Sequence, residues 1–471
     1  MVFSSLSFLI LFLPPVLGVY YMLPDTWRNY WLFAASLLFY ALGEPVFVAV
    51  FAVVILFTWG MGLALDKASD RGKKRLLFIG AGCLVCLLAV FKYGGYTAEL
   101  LSRKWGRALP LSDLALPIGI SFYAFQAVSY LADVRRGAKA QKNPAFLGLY
   151  LAFFPQLIAG PIVRYEAFAP QLSGRRVTWD GFSKGMIRFS AGLCRKVLLA
   201  NPLGAFSDHV FSSGQWSAMS SGMLWLAALA YTLQIYFDFS GYSDMAIGLG
   251  SLFGFSLPEN FDRPYTAGSA TAFWRRWHMT LSQWFRDYVY IPLGGSRRGF
   301  PRECANLLLV WGLTGIWHGA GGTFLVWGLA WGVLLILEKG VIRPEERPVG
   351  FRAAYRVFFA LCLVLLWVVF RVPGLSAAGM YLREMFAFHG AQGRPYEVGL
   401  WLHDLWPYLA GGVFLALGGM TPVRRLAARV KSEKGETLLY GFSLTVRFLL
   451  TGLAFSTLVN SSYNPFLYFN F

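Results

Sequence analysis

An ionisable ring stands where hydrocarbon is expected: His318 lies within Leu307–Leu337, thirty-one consecutive residues without an Asp, Glu, Lys or Arg. Taking a polar group out of water costs free energy unless it finds a partner, so an ionisable residue in a membrane-length apolar run is a candidate for function. The plain alternative is a neutral imidazole sharing one hydrogen bond with a neighbouring helix. The length of the run bears on the choice. At ~1.5 Å per residue a straight helix would reach roughly 46 Å, against a hydrocarbon core of about 30 Å. The helix is therefore expected to break at Gly319, Gly321 and Gly322, ending near His318 and restarting near Thr323. Irregular backbone at that depth is tolerated only inside protein or around a water-filled cavity, so His318 is expected to face a cavity.

A second histidine, His278, occupies a basic and aromatic stretch between Phe261 and Pro301, where the hydrophobic spans stop. Taken as one helix, Phe273–Tyr288 sorts at 100° per residue into an aromatic face and a polar one. Phe273, Trp274, Trp277, Leu281, Trp284, Phe285 and Tyr288 share the first, and Arg275, Arg276, Ser282, Gln283 and Arg286 the second, with His278 on the boundary. Such a helix suits the membrane interface. It is either an anchor alone or, beyond that, a surface whose arginines attract the phosphates of a nucleotide-containing substrate.

The elements that must position these residues belong to a membrane protein. Hydrophobic residues make up 56% of the 471, charged residues 14%, and the mean hydropathy is +0.52. The excess of 42 Lys and Arg over 24 Asp and Glu fits cytoplasmic loops held by the positive-inside rule, at Lys67–Arg75, Arg135–Lys142 and Arg424–Lys434, and not nucleic-acid binding. Met1–Leu23 lacks a basic n-region and reads as a retained first span. The five cysteines form no disulfide framework, and Cys83 and Cys86, within an apolar helical run, suit packing over metal binding. Apolar segments recur along the whole chain. Several are short, and Leu116–Leu131 and Phe153–Pro161 carry Pro or Gly interruptions that predict broken or re-entrant helices. The expectation is an all-α polytopic membrane protein with about 11 transmembrane helices plus re-entrant and interfacial ones around a central tunnel. With no polar linker or internal repeat, residues 1–471 read as a single domain.

Thr271-Ala-Phe-Trp-Arg-Arg-Trp-His278-Met-Thr-Leu-Ser282 and Leu313-Thr-Gly-Ile-Trp-His318-Gly-Ala320 resemble the two histidine-bearing blocks of the membrane-bound O-acyltransferase family. Pro155–Pro161, Gln234–Asp244, Pro258–Phe261, Tyr290–Gly295 and Asn464–Phe469 resemble its bacterial, alginate-acetylating branch. The resemblance covers nearly the whole chain and is most specific between residues 117 and 332. Gly322 stands where an aromatic is common in the family, and Trp331 where a histidine is common.

The resemblance implies a membrane enzyme of the bacterial inner membrane that passes an acyl group, most often acetyl, from a cytosolic thioester towards a hydroxyl on the other side. Acetyl-CoA is the implied donor and is a substrate, with no permanently bound cofactor or metal. The implied acceptor is an exopolysaccharide, or an extracytoplasmic acetyltransferase partner that relays the group. A hydroxyl is a weak nucleophile at neutral pH, and a histidine within about 3 Å can remove its proton as it attacks the thioester carbonyl. That base is His318. For His278 the resemblance implies donor orientation or oxyanion stabilisation. Trp274, Arg275, Arg286 and Asp238 complete the candidate substrate-binding set.

Asp238 and Asp244 interrupt apolar sequence, where an acid either polarises a histidine or pairs with a helix end or an arginine. Gly181–Gly185 matches the nucleophile-elbow spacing G-x-S-x-G, but in a basic loop leading into a membrane helix it lacks the strand-turn-helix setting that motif requires. Rival functions are D-alanyl or other acyl transfer to a cell-wall polymer and, from another class, a carrier or non-catalytic scaffold. A carrier would show two related halves, and the sequence shows none.

Overall fold

The computed structural model describes residues 1–106, 115–387, 395–430, 432–461 and 463–467. Tyr468 and Phe469 of the terminal motif, and Lys431 of the last basic cluster, lie outside the described residues. The described chain forms helices and turns with no strand, so the fold is all-α. Five described helices are long and apolar enough to cross a membrane: Val48–Lys67, Asp70–Trp105, Gly322–Glu346, Val349–Arg371 and Glu433–Asn460. In Asp70–Trp105 and Glu433–Asn460 only 11% of the most apolar stretch is buried. Side chains such as Phe78, Ile79 and Phe448 therefore point outward and need lipid as their solvent. Cys83 and Cys86 are also exposed, so they do not pack inside the protein as their apolar setting suggested.

The chain divides into two compact units, Met1–Phe189 with Met245–Glu259, and Ser190–Asp244 with Asn260–Phe471. In the first, both interrupted segments break as their Pro and Gly residues predict. Helix Ile120–Arg136 starts only after Gly119, whose φ of 77° is left-handed. Helix Pro144–Ala152 stops at Phe153 and gives way to the single turn Phe154–Leu157. A Cβ on Gly119 would lie 2.7 Å from the Leu157 carbonyl oxygen, so the two breaks meet backbone to backbone. Two bonds near the second break are made inside protein: Phe154 N–H donates to Ser36 Oγ at 3.1 Å, and Tyr150 Oη–H to the Val163 carbonyl at 2.9 Å. Gly181–Gly185 lies on the helix Trp179–Arg195 and not in a loop. A Cβ on Gly185 would sit 2.8 Å from the Gly248 carbonyl oxygen, so this glycine serves helix packing.

The second unit holds both histidines. Helix Phe300–His318 ends at its histidine and Gly322–Leu337 begins four residues on, where the overlong apolar run was expected to break. The two helices fold back on one another through glycine. A Cβ on Gly328 would strike the Trp311 carbonyl oxygen and lie 3.0 Å from Gly315 Cα, atoms of rigid backbone that cannot turn aside. Gly328→Ala should therefore lower stability by about 1–3 kcal/mol, as overpacking does. Thermal unfolding of the purified protein checks this, and an unchanged melting temperature would contradict it.

Candidate active site

His318 is the last residue of its helix and is 7% exposed. Its ring lies between aromatic neighbours, with centroids 4.7 Å from Trp317, 5.1 Å from Trp327 and 5.0 Å from Phe370. A Cβ on the next residue, Gly319, would collide with the Phe324 ring, so only glycine lets the chain leave the helix at this point.

The stretch around His278 departs from the single amphipathic helix that its pattern predicts. Helix Ala270–Trp274 stops, the chain turns, and Met279–Phe285 begins a new helix with His278 as its N-cap in a left-handed conformation, φ 43° and ψ 53°. That conformation costs a non-glycine residue about 1–3 kcal/mol and persists where surrounding contacts over-determine it. Asn260 supplies those contacts. Its carbonyl accepts Met279 N–H at 2.9 Å, and its side-chain Oδ1 accepts Thr280 N–H at 3.4 Å and Thr280 Oγ1–H at 2.9 Å. A backbone N–H can only donate, so the oxygen of the Asn260 amide faces Thr280, while Nδ2 donates to Ser243 Oγ at 3.1 Å.

The same Oδ1 lies 3.1 Å from His278 Nδ1, which must therefore carry the ring proton when His278 is neutral. The remaining nitrogen, Nε2, then presents a lone pair. Burial of the ring pushes the His278 pKa down to about 3, well below its usual value. The unfolded chain thus binds this proton more tightly than the folded one. The stability associated with the neutral ring is complete above about pH 6.5 and declines as pH falls towards 3.

Trp317 joins the two histidines, its ring 4.7 Å from His318 and 6.4 Å from His278. Glu338 joins the elements that carry them. This buried carboxylate, at the far end of the helix that follows the His318 break, accepts Ala270 N–H at 2.6 Å, Thr271 N–H at 2.8 Å, Thr271 Oγ1–H at 2.6 Å and Tyr355 Oη–H at 2.8 Å. It thereby caps the short helix leading to His278. Trp274, from that helix, packs its ring 4.5 Å from Trp311 and 5.3 Å from Trp331.

The remaining candidates lie elsewhere. Arg275 and Arg286 are exposed, and Arg286 Nε pairs with Asp287 at 2.8 Å. Asp238 is buried and turned to Lys196 Nζ, 2.6 Å away, with its second oxygen accepting Leu467 N–H at 2.9 Å. Asp244 pairs with Arg195. Of the two readings of these acids, pairing with a cation describes both. Sequence reasoning overlooked Asn260 and Glu338. The first lies in the Pro258–Phe261 motif, and the second is the first charge after the apolar run.

Comparison with known proteins gives the family and its relatives. The model of MBOAT, the membrane-bound O-acyltransferase family, matches residues 120–377, which include both histidines. The probable alginate O-acetylase AlgI of Pseudomonas putida is 39% identical, over 100% of this chain and 100% of its own. That of Azotobacter vinelandii is 42% identical over 82% of this chain and 78% of its own. A peptidoglycan O-acetyltransferase of Helicobacter pylori is 34% identical over 83% and 80%.

Proposed function

This chain belongs to the membrane-bound O-acyltransferase family, and from that membership we propose that it carries acetyl from acetyl-CoA across the bacterial inner membrane to a polysaccharide hydroxyl. Its class is that of a membrane O-acyltransferase. Alginate is the favoured acceptor, reached directly or through an extracytoplasmic acetyltransferase that relays the group. The observation that supports a shared site is the convergence of both histidine blocks on Trp317.

In the proposed reaction His318 takes the proton of the acceptor hydroxyl as its oxygen attacks the thioester carbonyl. The new C–O bond forms, the C–S bond breaks, and the thiolate leaves with the proton returned by the imidazolium. With Nδ1–H directed to Asn260, His278 offers an acceptor at Nε2. That suits holding an O–H or N–H of a substrate and not stabilising an oxyanion. Trp274 shapes the aromatic wall, and Arg275 and Arg286 attract the donor's phosphates from the exposed side.

Purified protein in proteoliposomes, supplied with acetyl-labelled acetyl-CoA outside and alginate inside, tests the reading. The expected result is alkali-labile label on the polymer. Label found instead on peptidoglycan fragments would change the acceptor, and loss of thioester without any ester product would overturn the transfer. Asn260→Leu should slow transfer about tenfold, the worth of one buried hydrogen bond. Asn260→Asp should raise the His278 pKa and so change the acid side of the pH–rate profile relative to the wild type. Superimposable profiles would sink the proposed role of His278.

A further inference from the structure

A cavity of about 550 Å³ in the second unit is lined by three arginines drawn from three separate parts of the chain. Arg195 ends the helix Trp179–Arg195, Arg263 lies in the turn after Asn260, and Arg425 belongs to the helix Met420–Ala427. Tyr236, Asp262 and Thr421 also line it.

The placement of Arg263 is built by its surroundings. Its backbone is left-handed, φ 45° and ψ 59°, a conformation that side-chain-bearing residues rarely adopt. Its side chain runs beside Gly418, itself at φ 79°, where a Cβ would approach Arg263 Cδ to 3.3 Å. Arg263 Nη1 donates to Thr421 Oγ1 at 3.0 Å and Nε to Asp262 Oδ1 at 3.2 Å, which fixes the guanidinium at the wall. Arg195 is held by Asp244. Arg425 is exposed and has no acidic partner among the described residues. Two acids therefore face three permanent cations, and planar guanidinium forks match the oxygens of a phosphate.

We propose that this cavity binds a phosphate ester, held by Arg425 and Arg263 with Arg195 behind them. Two sources present that chemistry, the nucleotide phosphates of a coenzyme A-type donor and the headgroup of an anionic phospholipid. The first rests on the donor reading above, and the site itself does not.

The full chain in phosphatidylcholine nanodiscs should be titrated with coenzyme A, with inorganic phosphate, and, in separate discs, with increasing phosphatidylglycerol, following melting temperature and affinity. We expect at least one phosphate probe to bind and raise the melting temperature, and Arg425→Gln and Arg263→Gln each to weaken that probe about tenfold. A response to coenzyme A alone assigns the nucleotide, and a response to phosphatidylglycerol alone assigns the lipid and leaves the donor reading to the transfer assay. Absence of binding by all three probes, or binding that neither variant weakens, overturns the site. Arg425 is exposed, so its variant should fold normally and separate lost binding from lost structure.

Discussion

Replacing His318 with alanine should lower acyl transfer by about 10² to 10⁴, the usual contribution of a general base. The protein should still insert and fold. The ring ends a helix and packs edge-on against the rings of Trp317, Trp327 and Phe370, so its removal trims aromatic contacts at a helix end. Donor affinity should stay within a few-fold, because the proton is taken from the acceptor. Monodispersity by size exclusion, binding of the donor and formation of ester product separate these three expectations. A well-folded His318→Ala protein that transfers at the wild-type rate would remove the catalytic assignment and favour a scaffold or carrier.

Replacing Glu338 with alanine should produce the largest loss of stability, about 3–5 kcal/mol. Four donors converge on this carboxylate, from Ala270, from Thr271 twice and from Tyr355, and each buried donor left unsatisfied costs about 1–3 kcal/mol. Glu338→Gln should cost less, because it keeps one oxygen, but its amide N–H groups would face donors. Both variants should also lose activity, since the helix that leads to His278 is capped from this residue. Thermal unfolding gives the order wild type, Gln, Ala. A Glu338→Ala protein as stable as the wild type would show that the carboxylate does not hold the two histidine elements together.

The break at His318 was legible in the sequence because it follows from a length. A run too long for the bilayer, with Gly319, Gly321 and Gly322 clustered near its middle, has one sensible place to stop. The interrupted segments around Gly119 and Phe153 were legible for the same kind of reason, local Pro and Gly chemistry. The turn at His278 was not. The aromatic spacing of Phe273–Tyr288 fits a single helix, and what overrides it is the side chain and carbonyl of Asn260, eighteen residues upstream. Pattern reads which residues are buried, and indeed Phe273, Trp274, Trp277, Leu281, Trp284 and Phe285 are. It does not read the long-range hydrogen bonds that redirect the backbone between them. The same limit hid the clamp of Glu338, sixty-seven residues from Thr271, and the partner of Asp238, which is a lysine and not a histidine.

If both histidines serve one acyl-transfer site, a crystal structure with a non-hydrolysable acetyl thioester analogue bound will place the analogue beside them. The thioester carbonyl carbon is expected on the Trp317 side, within about 6 Å of a His318 ring nitrogen. That separation leaves room for one acceptor hydroxyl about 3 Å from the base and about 3–3.5 Å from the carbon it attacks. A carbonyl well resolved elsewhere, with protein side chains filling the space between it and His318, would show that the two histidines do not share one acyl-transfer site.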